Sequence, residues 1–250
     1  VFEKETNSNK INITAQYLKS LISKTSFAMG NQDWRHYLNG LYITVEDTSI
    51  TSVATDAHRL AMSTLGINEA APEIITGIVP RKSINEIGKL VGDSSENILL
   101  QIGSSSINVD ISGTTFSSKL IEGKFPDYQQ VIPSGDSSTL TINKKSLSES
   151  LSRVSVLSSE KFRGVRIITS ENSINISANN PEKEQAEESV ECSYKGEPMD
   201  IAFNVNYLQE ILSSIDETNV DIHFFGSDKS CLITNPGSDS YKYVVMPLLI

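Results

Sequence analysis

The short segment Ala54–Ala61, with the sequence ATDAHRLA, gathers three side chains that could carry out acid–base chemistry. Asp56 and His58 could act as a carboxylate–imidazole pair, and Arg59 lies next to them in the sequence. Hydrolysis would also need a nucleophile in a fixed geometry. The sequence contains no Gly-x-Ser-x-Gly elbow, no glycine-rich phosphate loop and no His-x-x-x-His pair. A polar turn leading into a strand is therefore the favoured interpretation, and a hydrolase is the alternative.

The elements that would position this segment follow from apolar periodicity. Near-helical spacing predicts four helices, at Ala15–Met29, Ser83–Val91, Lys144–Leu157 and Asn206–Ile215. Alternation predicts strands, which fall at Lys10–Thr14, Leu38–Val45, Ser49–Thr55, His58–Thr64, Ile74–Val79, Ile98–Ile102, Ser106–Ile111, Thr114–Ile121, Ser138–Ile142, Arg163–Thr169, Ser173–Ala178, Glu187–Ser193, Met199–Phe203, Asn219–Phe224, Lys229–Thr234 and Tyr241–Pro247. Each half of the chain thus reads strand–helix–three strands, twice.

The local amino-acid sequence also repeats together with the predicted elements. The run INITAQYLKSLISKTS at 11–26 is echoed by LTINKKSLSESLSRVS at 140–155. A duplication within a duplication predicts two similar domains with internal pseudo-two-fold symmetry, each packing two helices against antiparallel sheets. We therefore expect an α+β fold with domains at 10–133 and 134–250, joined by the Pro/Gly/Ser-rich stretch Pro133–Ser138. Residues 1–9 are expected to connect to a domain that precedes them.

Composition limits the class of protein further. The chain has 250 residues, 38% of them hydrophobic and 21% charged, which is typical of a globular protein. Cys192 and Cys231 do not have metal-site spacing and are expected to be reduced thiols. The sequence has neither a membrane-spanning apolar run nor a signal peptide at its start. We expect a cytoplasmic protein without membrane contact, cofactor or metal.

Charge is unevenly distributed. The net charge of −10 argues by itself against nucleic-acid binding. Three predicted helices nevertheless carry an excess of bases, when the second is counted from Arg81: Lys19 and Lys24, then Arg81, Lys82 and Lys89, then Lys144, Lys145 and Arg153. If the symmetry places them on one surface, that surface suits phosphate backbones without base recognition. Ordinary solvated helix faces are the alternative explanation.

Several collinear motifs resemble those of one family. ATDAHRLA closely resembles the Ala-Thr-Asp-Gly-His-Arg-Leu-Ala signature of bacterial sliding clamps, the beta subunit of DNA polymerase III. GKFPDYQQVIP at 123–133, SEKFRGVRI at 159–167, ANNPEKEQAEE at 178–188, FNVNYLQEIL at 203–212 and YVVMPLLI at 243–250 are also similar to family motifs. Together they cover nearly the whole chain, and the resemblance is to the second and third domains of that family.

The resemblance implies a fold and a function. The fold would be the DNA-clamp fold, and two full-length chains would form a homodimeric ring around double-stranded DNA. The protein would be a non-catalytic processivity factor in DNA replication. Its partners would be the polymerase III catalytic subunit, the clamp loader, and other polymerases and repair proteins that bind through linear peptide motifs.

In the family, a hydrophobic pocket between these two domains accepts the partner peptides. Carried over by motif, the pocket residues are Leu38, Thr55, Ala57, His58, Arg59, Leu60, Pro126, Gln130, Val131, Asn204, Tyr207, Val244, Val245, Met246, Pro247 and Leu248. Apolar pockets with a few polar donors suit peptide recognition. The alternative for VVMPLL is a closing core strand, and both can hold because strand residues alternate faces.

Three positions depart from the family pattern. Ala57 stands where the family usually has Gly, so either φ is negative here or the turn differs slightly. Gln130 and Leu249 replace basic residues found in some members, which makes the pocket less basic.

The resemblance also implies residues that face DNA. The family's contacts fall near Gln32, His36, Tyr37, Arg81 and Lys82, and helical bases can add general charge. The full predicted set is Lys19, Lys24, Gln32, His36, Tyr37, Arg81, Lys82, Lys144, Lys145 and Arg153.

Three hypotheses result: a DNA sliding clamp, a peptide-binding scaffold without a DNA role, and a hydrolase that uses Asp56, His58 and Arg59. Substitution of His58 separates the first from the third, because lost peptide binding without lost turnover supports the clamp. Comparing peptide binding with DNA loading separates the first from the second.

Overall fold

The computed structural model describes residues 9–249, and the chain divides into two compact units. Unit 1 ends at Tyr128 and unit 2 begins at Gln129. The predicted domain boundary lies five residues further on, after Pro133. The predicted connector at residues 1–9 lies outside the described residues, except for Asn9, which begins the first strand.

In its described residues, 9–128, unit 1 has eight strands and two α-helices. In chain order they are β1 (Asn9–Thr14), α1 (Ala15–Thr25), β2 (Gly40–Glu46), β3 (Ser49–Thr55), β4 (Arg59–Gly66), β5 (Ile75–Pro80), α2 (Arg81–Val91), β6 (Asn97–Ile102), β7 (Ser106–Ile111) and β8 (Thr114–Lys119). The order is strand–helix–three strands, twice, as the repeat predicts. Short 3-10 turns lie at Ser26–Ala28 and His36–Asn39.

The two repeats of unit 1 exchange their first strands. β1 opens the first repeat but pairs with β6 of the second, with Ile11 opposite Leu100. β5 opens the second repeat but pairs with β2 of the first, with Val79 opposite Leu41. The resulting antiparallel sheets run β1-β6-β7-β8 and β5-β2-β3-β4. Neither repeat can complete its sheet alone, so the pair folds as one unit.

Unit 2 follows the same plan with one additional short strand. Its elements are β9 (Ser138–Asn143), α3 (Lys144–Ser155), β10 (Gly164–Ser170), β11 (Ser173–Asn179), β12 (Gln185–Glu191), β13 (Ser193–Tyr194), β14 (Asp200–Asn204), α4 (Val205–Ser214), β15 (Asn219–Phe224), β16 (Cys231–Asn235) and β17 (Ser238–Val245). β9 pairs with β15, and β14 pairs with β10, which is the same exchange of first strands.

The helices pack in pairs, α1 with α2 and α3 with α4. α1 buries Leu18, Leu21 and Ile22, and α2 buries Ile84, Ile87 and Val91. Apolar residues three or four apart share one face of a helix. Each helix therefore buries its apolar face against the other helix of the pair and against the sheets. The antiparallel α+β architecture predicted from the sequence is confirmed.

The first α-helix ends earlier than its apolar spacing predicts. α1 stops at Thr25, whose hydroxyl donates to Leu21 O at 2.5 Å and whose φ of −133° leaves the helical region. The 3-10 turn Ser26–Ala28 then keeps Ala28 in the core. The apolar period continues through this turn, which is why the sequence predicts one helix to Met29.

Most predicted strands differ from the structure only by a few residues at their ends, but two differ in kind. Leu38 lies in the 3-10 turn His36–Asn39 rather than in β2. The single strand predicted at Glu187–Ser193 is two strands, because β12 pairs with β11 whereas β13 pairs with β9. The backbone changes sheets at Cys192, between the two.

Cys192 and Cys231 are both free thiols, and burial raises the pKa of Cys231 to about 12. Residues 9–249 contain no cluster of three or more metal-binding side chains. In the same range, no helix combines the length and the apolar character that a membrane crossing requires.

Candidate functional site

The segment that first suggested chemistry forms the tight turn between β3 and β4. The hydroxyl of Thr55 donates to Arg59 O at 2.6 Å, and Ala57 N donates to the Thr55 hydroxyl at 3.1 Å. Asp56 Oδ1 accepts from the backbone amides of His58 and Arg59 at 3.0 and 3.1 Å. A side-chain oxygen that binds amides two and three residues ahead is the normal device for fixing such a turn.

Arg59 anchors this turn in the interior of unit 1. Its side chain is 8% exposed, and its Nε donates to Asp56 Oδ2 at 3.1 Å. Nη2 donates to Phe27 O at 2.9 Å, and the guanidinium lies 5.4 Å from the centroid of the Phe27 ring. A buried cation needs this density of partners to offset its loss of water.

The same network disfavours the hydrolase. Both oxygens of Asp56 are occupied, by two backbone amides and by the Arg59 guanidinium. His58 contributes only its backbone amide to the network, and its side chain is exposed. The geometry is therefore that of a braced turn rather than of a carboxylate that orients an imidazole.

Ala57 adopts φ of +75°, which excludes the first of the two alternatives given for this position, a negative φ. The turn retains a left-handed residue even though the side chain has a Cβ. Such a conformation costs an alanine roughly 1 kcal/mol, because Cβ crowds the following carbonyl. The bonds made by Thr55 and Asp56 on either side hold the residue in place.

The remaining pocket residues of unit 1 divide by exposure. Leu38 and Leu60 are core residues, each 2% exposed. Pro126 is exposed. It follows Phe125, whose ring stacks on Tyr42 with centroids 4.7 Å apart and planes 7° from parallel. This aromatic stack fixes the segment that leads out of unit 1.

In unit 2, the predicted residues lie on α4, on β17 and on the tail that follows. Val244 and Val245 are buried in β17, so VVMPLL does begin as a core strand. Met246 is then 47% exposed and Leu249 is 99% exposed. Leu248 N donates to Ala202 O at 2.8 Å, which ties the tail to β14. The strand therefore supplies core residues first and exposed apolar residues afterwards.

The polar residues predicted in unit 2 surround the start of α4. Asn204 is its N-cap, and its side-chain oxygen accepts from Asn206 N at 2.9 Å. Tyr207 is half-buried in the first turn. At the start of the unit, Gln130 is exposed and Val131 is 49% exposed.

The residues predicted to face DNA in unit 1 differ in whether their side chains are bonded to neighbours or exposed to solvent. Arg81 is tied down, since its guanidinium donates to the carbonyls of Met29 and Gly30. Lys19 forms an ion pair with Asp93. Lys82, Gln32 and His36 are exposed, while Lys24 and Tyr37 are partly exposed.

In unit 2, the predicted bases are largely engaged by neighbours. Lys144 Nζ donates to Ile215 O at 2.5 Å, and Lys145 lies 3.8 Å from Glu149. Arg153 binds both oxygens of Glu188, at 2.6 and 2.7 Å, and this contact lowers the pKa of Glu188. The positive charge of α3 is therefore partly compensated within the unit.

The predicted site residues do not include Trp34, the most exposed aromatic side chain among the described residues of unit 1. Trp34 is 82% exposed, beside an ion pair in which Asp33 holds Arg35. The available signal was a tryptophan between two charged residues in a polar segment, and the chain contains no other tryptophan.

Comparison with known proteins gives both units an assignment. Residues 12–127 match the family described as DNA polymerase III beta subunit, central domain, and residues 129–249 match its C-terminal domain. The Beta sliding clamp of Vibrio cholerae is 42% identical over 241 residues, which cover 96% of this chain and 65% of the relative. That of Escherichia coli K12 is 40% identical over 231 residues, covering 92% and 63%. The chain thus spans about two thirds of the length of these relatives.

Solved structures support the same family assignment. A crystal structure of the DNA polymerase III subunit beta from Pseudomonas aeruginosa superimposes with a TM-score of 0.97 at 39% identity, covering all of this chain and 69% of that one. Another from the same organism, bound to griselimycin, also gives a TM-score of 0.97. Fold and duplicated units define a protein of the DNA-clamp class. The chain belongs to the DNA polymerase III beta subunit family, whose curated members are named Beta sliding clamp.

Proposed function

We propose that this chain forms the central and C-terminal parts of a DNA sliding clamp, which surrounds duplex DNA and tethers replication proteins to it without chemistry of its own. The observation that carries the proposal is the duplicated clamp architecture with the exchange of first strands in both units. It is supported by the similarity to clamp structures. The natural protein would act in the cytoplasm, as a homodimer that closes into a ring.

DNA binding would be non-specific. A backbone-directed surface needs mobile positive charge rather than base-reading geometry. The exposed side chains of Lys82 and Lys145 suit such loose contact, and the acidic remainder of the surface would reduce non-specific binding elsewhere. The test is loading of the natural full-length protein onto nicked circular DNA. Retention that disappears when the circle is linearised supports encirclement, whereas equal retention contradicts it.

Partner proteins would bind through short peptides. In unit 2, Met246 and Val131 are exposed apolar side chains of the kind that peptide anchors use, and in unit 1 Pro126 is exposed. The braced β3–β4 turn would supply a rigid polar edge through His58. Griselimycin binds the Pseudomonas relative, and we propose that it competes for the same residues here.

A short peptide containing Gln and Leu tests this site directly. Met246→Ala should weaken peptide binding by about tenfold, because a buried thioether contact is lost. Val156→Ala is the matched control, since Val156 is 76% exposed and outside the predicted set. Equal affinity in the Met246 variant and the unmodified chain would contradict the site.

His58→Ala separates the clamp from the hydrolase. We expect weaker peptide binding and no change in any background turnover of ester or phosphoester substrates. Loss of a measurable turnover in this variant would favour the hydrolase instead.

A further inference from the structure

The loop between Met29 and Gly40 presents a large apolar side chain to solvent. Trp34 is 82% exposed, and Gln32 and His36 on either side of it are also exposed. Tryptophan is mostly buried in folded proteins, because its ring is the largest apolar surface that any residue carries. A tryptophan this exposed in an otherwise well-packed unit points to a binding partner.

The loop is firmly bonded, so the exposure of Trp34 does not come from a slack segment. Gly30 N donates to Leu38 O at 2.8 Å, which closes the base of the loop. Across its middle, Asp33 N donates to Asn39 Oδ1 at 2.9 Å, and Asn39 Nδ2 donates back to Asp33 O at 2.8 Å. The residues on both sides of Trp34 are thus fixed, and the ring is displayed at the tip.

Arg35 is fixed against its neighbours as well. Its backbone N, Nε and Nη2 all donate to the Asp33 carboxylate, at 2.8, 3.0 and 2.8 Å. The guanidinium carbon lies 5.6 Å from the centroid of the Trp34 ring. The cation therefore covers part of one side of the indole, while the high exposure leaves the rest of the ring open.

The charge around the loop is opposite to that of the chain as a whole. Asp33 is the only carboxylate between Ile11 and Val45, although the chain has 31 acidic residues. Arg35 neutralises it by direct contact and lowers its pKa to about 2. Arg81 donates to the carbonyls of Met29 and Gly30 at the base of the loop, and Lys82 beside it is exposed. A partner with negative charge is favoured here.

An exposed aromatic ring with a stacked guanidinium and nearby cations matches the chemistry that binds single-stranded nucleic acid. Bases stack on the ring, and phosphates meet the cations. A duplex offers no free base face, because its bases already stack on one another. A purely apolar protein partner would gain nothing from Arg81 and Lys82.

We propose that Trp34 stacks on an unpaired base of single-stranded DNA, with Arg35 supporting the ring and Lys82 contacting the phosphates. This goes beyond encirclement of duplex, which needs only backbone contacts. It also differs from the role predicted for Gln32, His36 and Tyr37, which is contact with duplex DNA. The site would engage DNA where a strand is exposed beside a duplex.

The fluorescence of Trp34 tests the proposal directly, because the chain has no other tryptophan. The 250-residue chain is titrated at low salt with a single-stranded 12-nucleotide probe, with an abasic probe of equal phosphate number, and with a duplex. We expect quenching by the first probe, and at least about fivefold weaker binding of the abasic probe. Quenching of equal strength by the abasic probe, or no quenching at all, overturns the proposal.

Variants give a second readout, by anisotropy of a labelled probe. Trp34→Leu should bind the base-containing probe roughly tenfold more weakly, while Trp34→Phe keeps most of the affinity. Lys82→Ala should weaken the base-containing and abasic probes alike. Phe162→Leu is the matched control, since Phe162 is 60% exposed in unit 2. Unchanged binding by Trp34→Leu overturns the stacking contact. It leaves the clamp function itself intact, because peptide binding and ring retention are measured separately.

Discussion

Two turns occupy equivalent places in the two units and are built in different ways. In unit 1, the turn between β3 and β4 is anchored by Arg59, a buried cation with a carboxylate, a carbonyl and an aromatic ring around it. In unit 2, the turn between β11 and β12 is closed by Asn180 at the surface, whose Nδ2 donates to Glu184 Oε2 and whose Oδ1 accepts from the backbone amide of Glu184. Both contain a left-handed residue, Ala57 at φ of +75° and Lys183 at +65°.

The position of a turn in a duplicated fold therefore does not determine its rigidity. The repeat pattern requires a reversal after the third strand in both units, and many sequences satisfy it. Only the unit 1 turn sends a side chain into the interior, so only that turn is bound to another element, through Phe27 O. A rigid turn is what a peptide-binding edge requires, which fits the proposed site.

Of the substitutions considered, Arg59→Met should lower the free energy of unfolding the most. It removes the buried cation but leaves the Asp56 carboxylate and the Phe27 carbonyl without that partner. We expect the free energy of unfolding to fall by about 3 kcal/mol. Urea unfolding followed by circular dichroism measures it.

The matched change in unit 2 is Glu184→Gln, which weakens only an exposed contact with Asn180. This variant should lower the free energy of unfolding by less than about 0.5 kcal/mol, as measured by urea unfolding followed by circular dichroism. Losses of similar size in the two variants would abolish the distinction between the turns.

Much of the fold could be predicted because its signals are local. The bounds of β3, β7 and β15 match the alternating segments Ser49–Thr55, Ser106–Ile111 and Asn219–Phe224. The start of α3 at Lys144 follows from Asn143, whose side chain accepts from Ser146 N as the N-cap. Each of these signals lies within a few residues of the structure it specifies.

The parts that could not be predicted depend on distant partners. The exchange of β1 and β5 between repeats is a choice of pairing, and apolar alternation is the same whichever strand is the neighbour. The 3-10 turn at Leu38 depends on Asn39 reaching back to Asp33. The burial of Arg59 could not be read from its motif, because the partner Phe27 lies 32 residues away in sequence. Trp34 was missed because polar flanks indicate a loop without revealing that the loop is rigid.

Ala57→Gly tests whether backbone strain is shared by both turns. Glycine accepts a positive φ without a Cβ clash, although it gains freedom in the unfolded chain. We expect a rise in the free energy of unfolding of about 0.5–1 kcal/mol, measured by urea unfolding.

Lys183→Gly is the counterpart in unit 2, and a similar gain there would show that strain alone is relieved. A gain at Lys183 with a loss at Ala57 would mean that the unit 1 turn depends on its alanine side chain. In that case peptide binding should fall in the Ala57 variant as well.

The smallest expected effect concerns the surface ion pair of α3. Arg153 holds both oxygens of Glu188 and lowers its pKa, whereas Lys19 of α1 makes a single contact with Asp93, whose pKa is also lowered.

A carboxylate with a lowered pKa stabilises the folded state fully above its unfolded pKa, and this stabilisation is lost as pH falls toward the folded value. Glu188→Gln should therefore lower the free energy of unfolding only slightly near neutral pH, and by less in acid or in high salt. Asp93→Asn should change it less still, because a two-point contact by arginine has a fixed geometry that lysine lacks. Urea unfolding of both variants at pH 7 and pH 3 decides the order, and a larger loss in Asp93→Asn would show that contact geometry is not what distinguishes the two pairs.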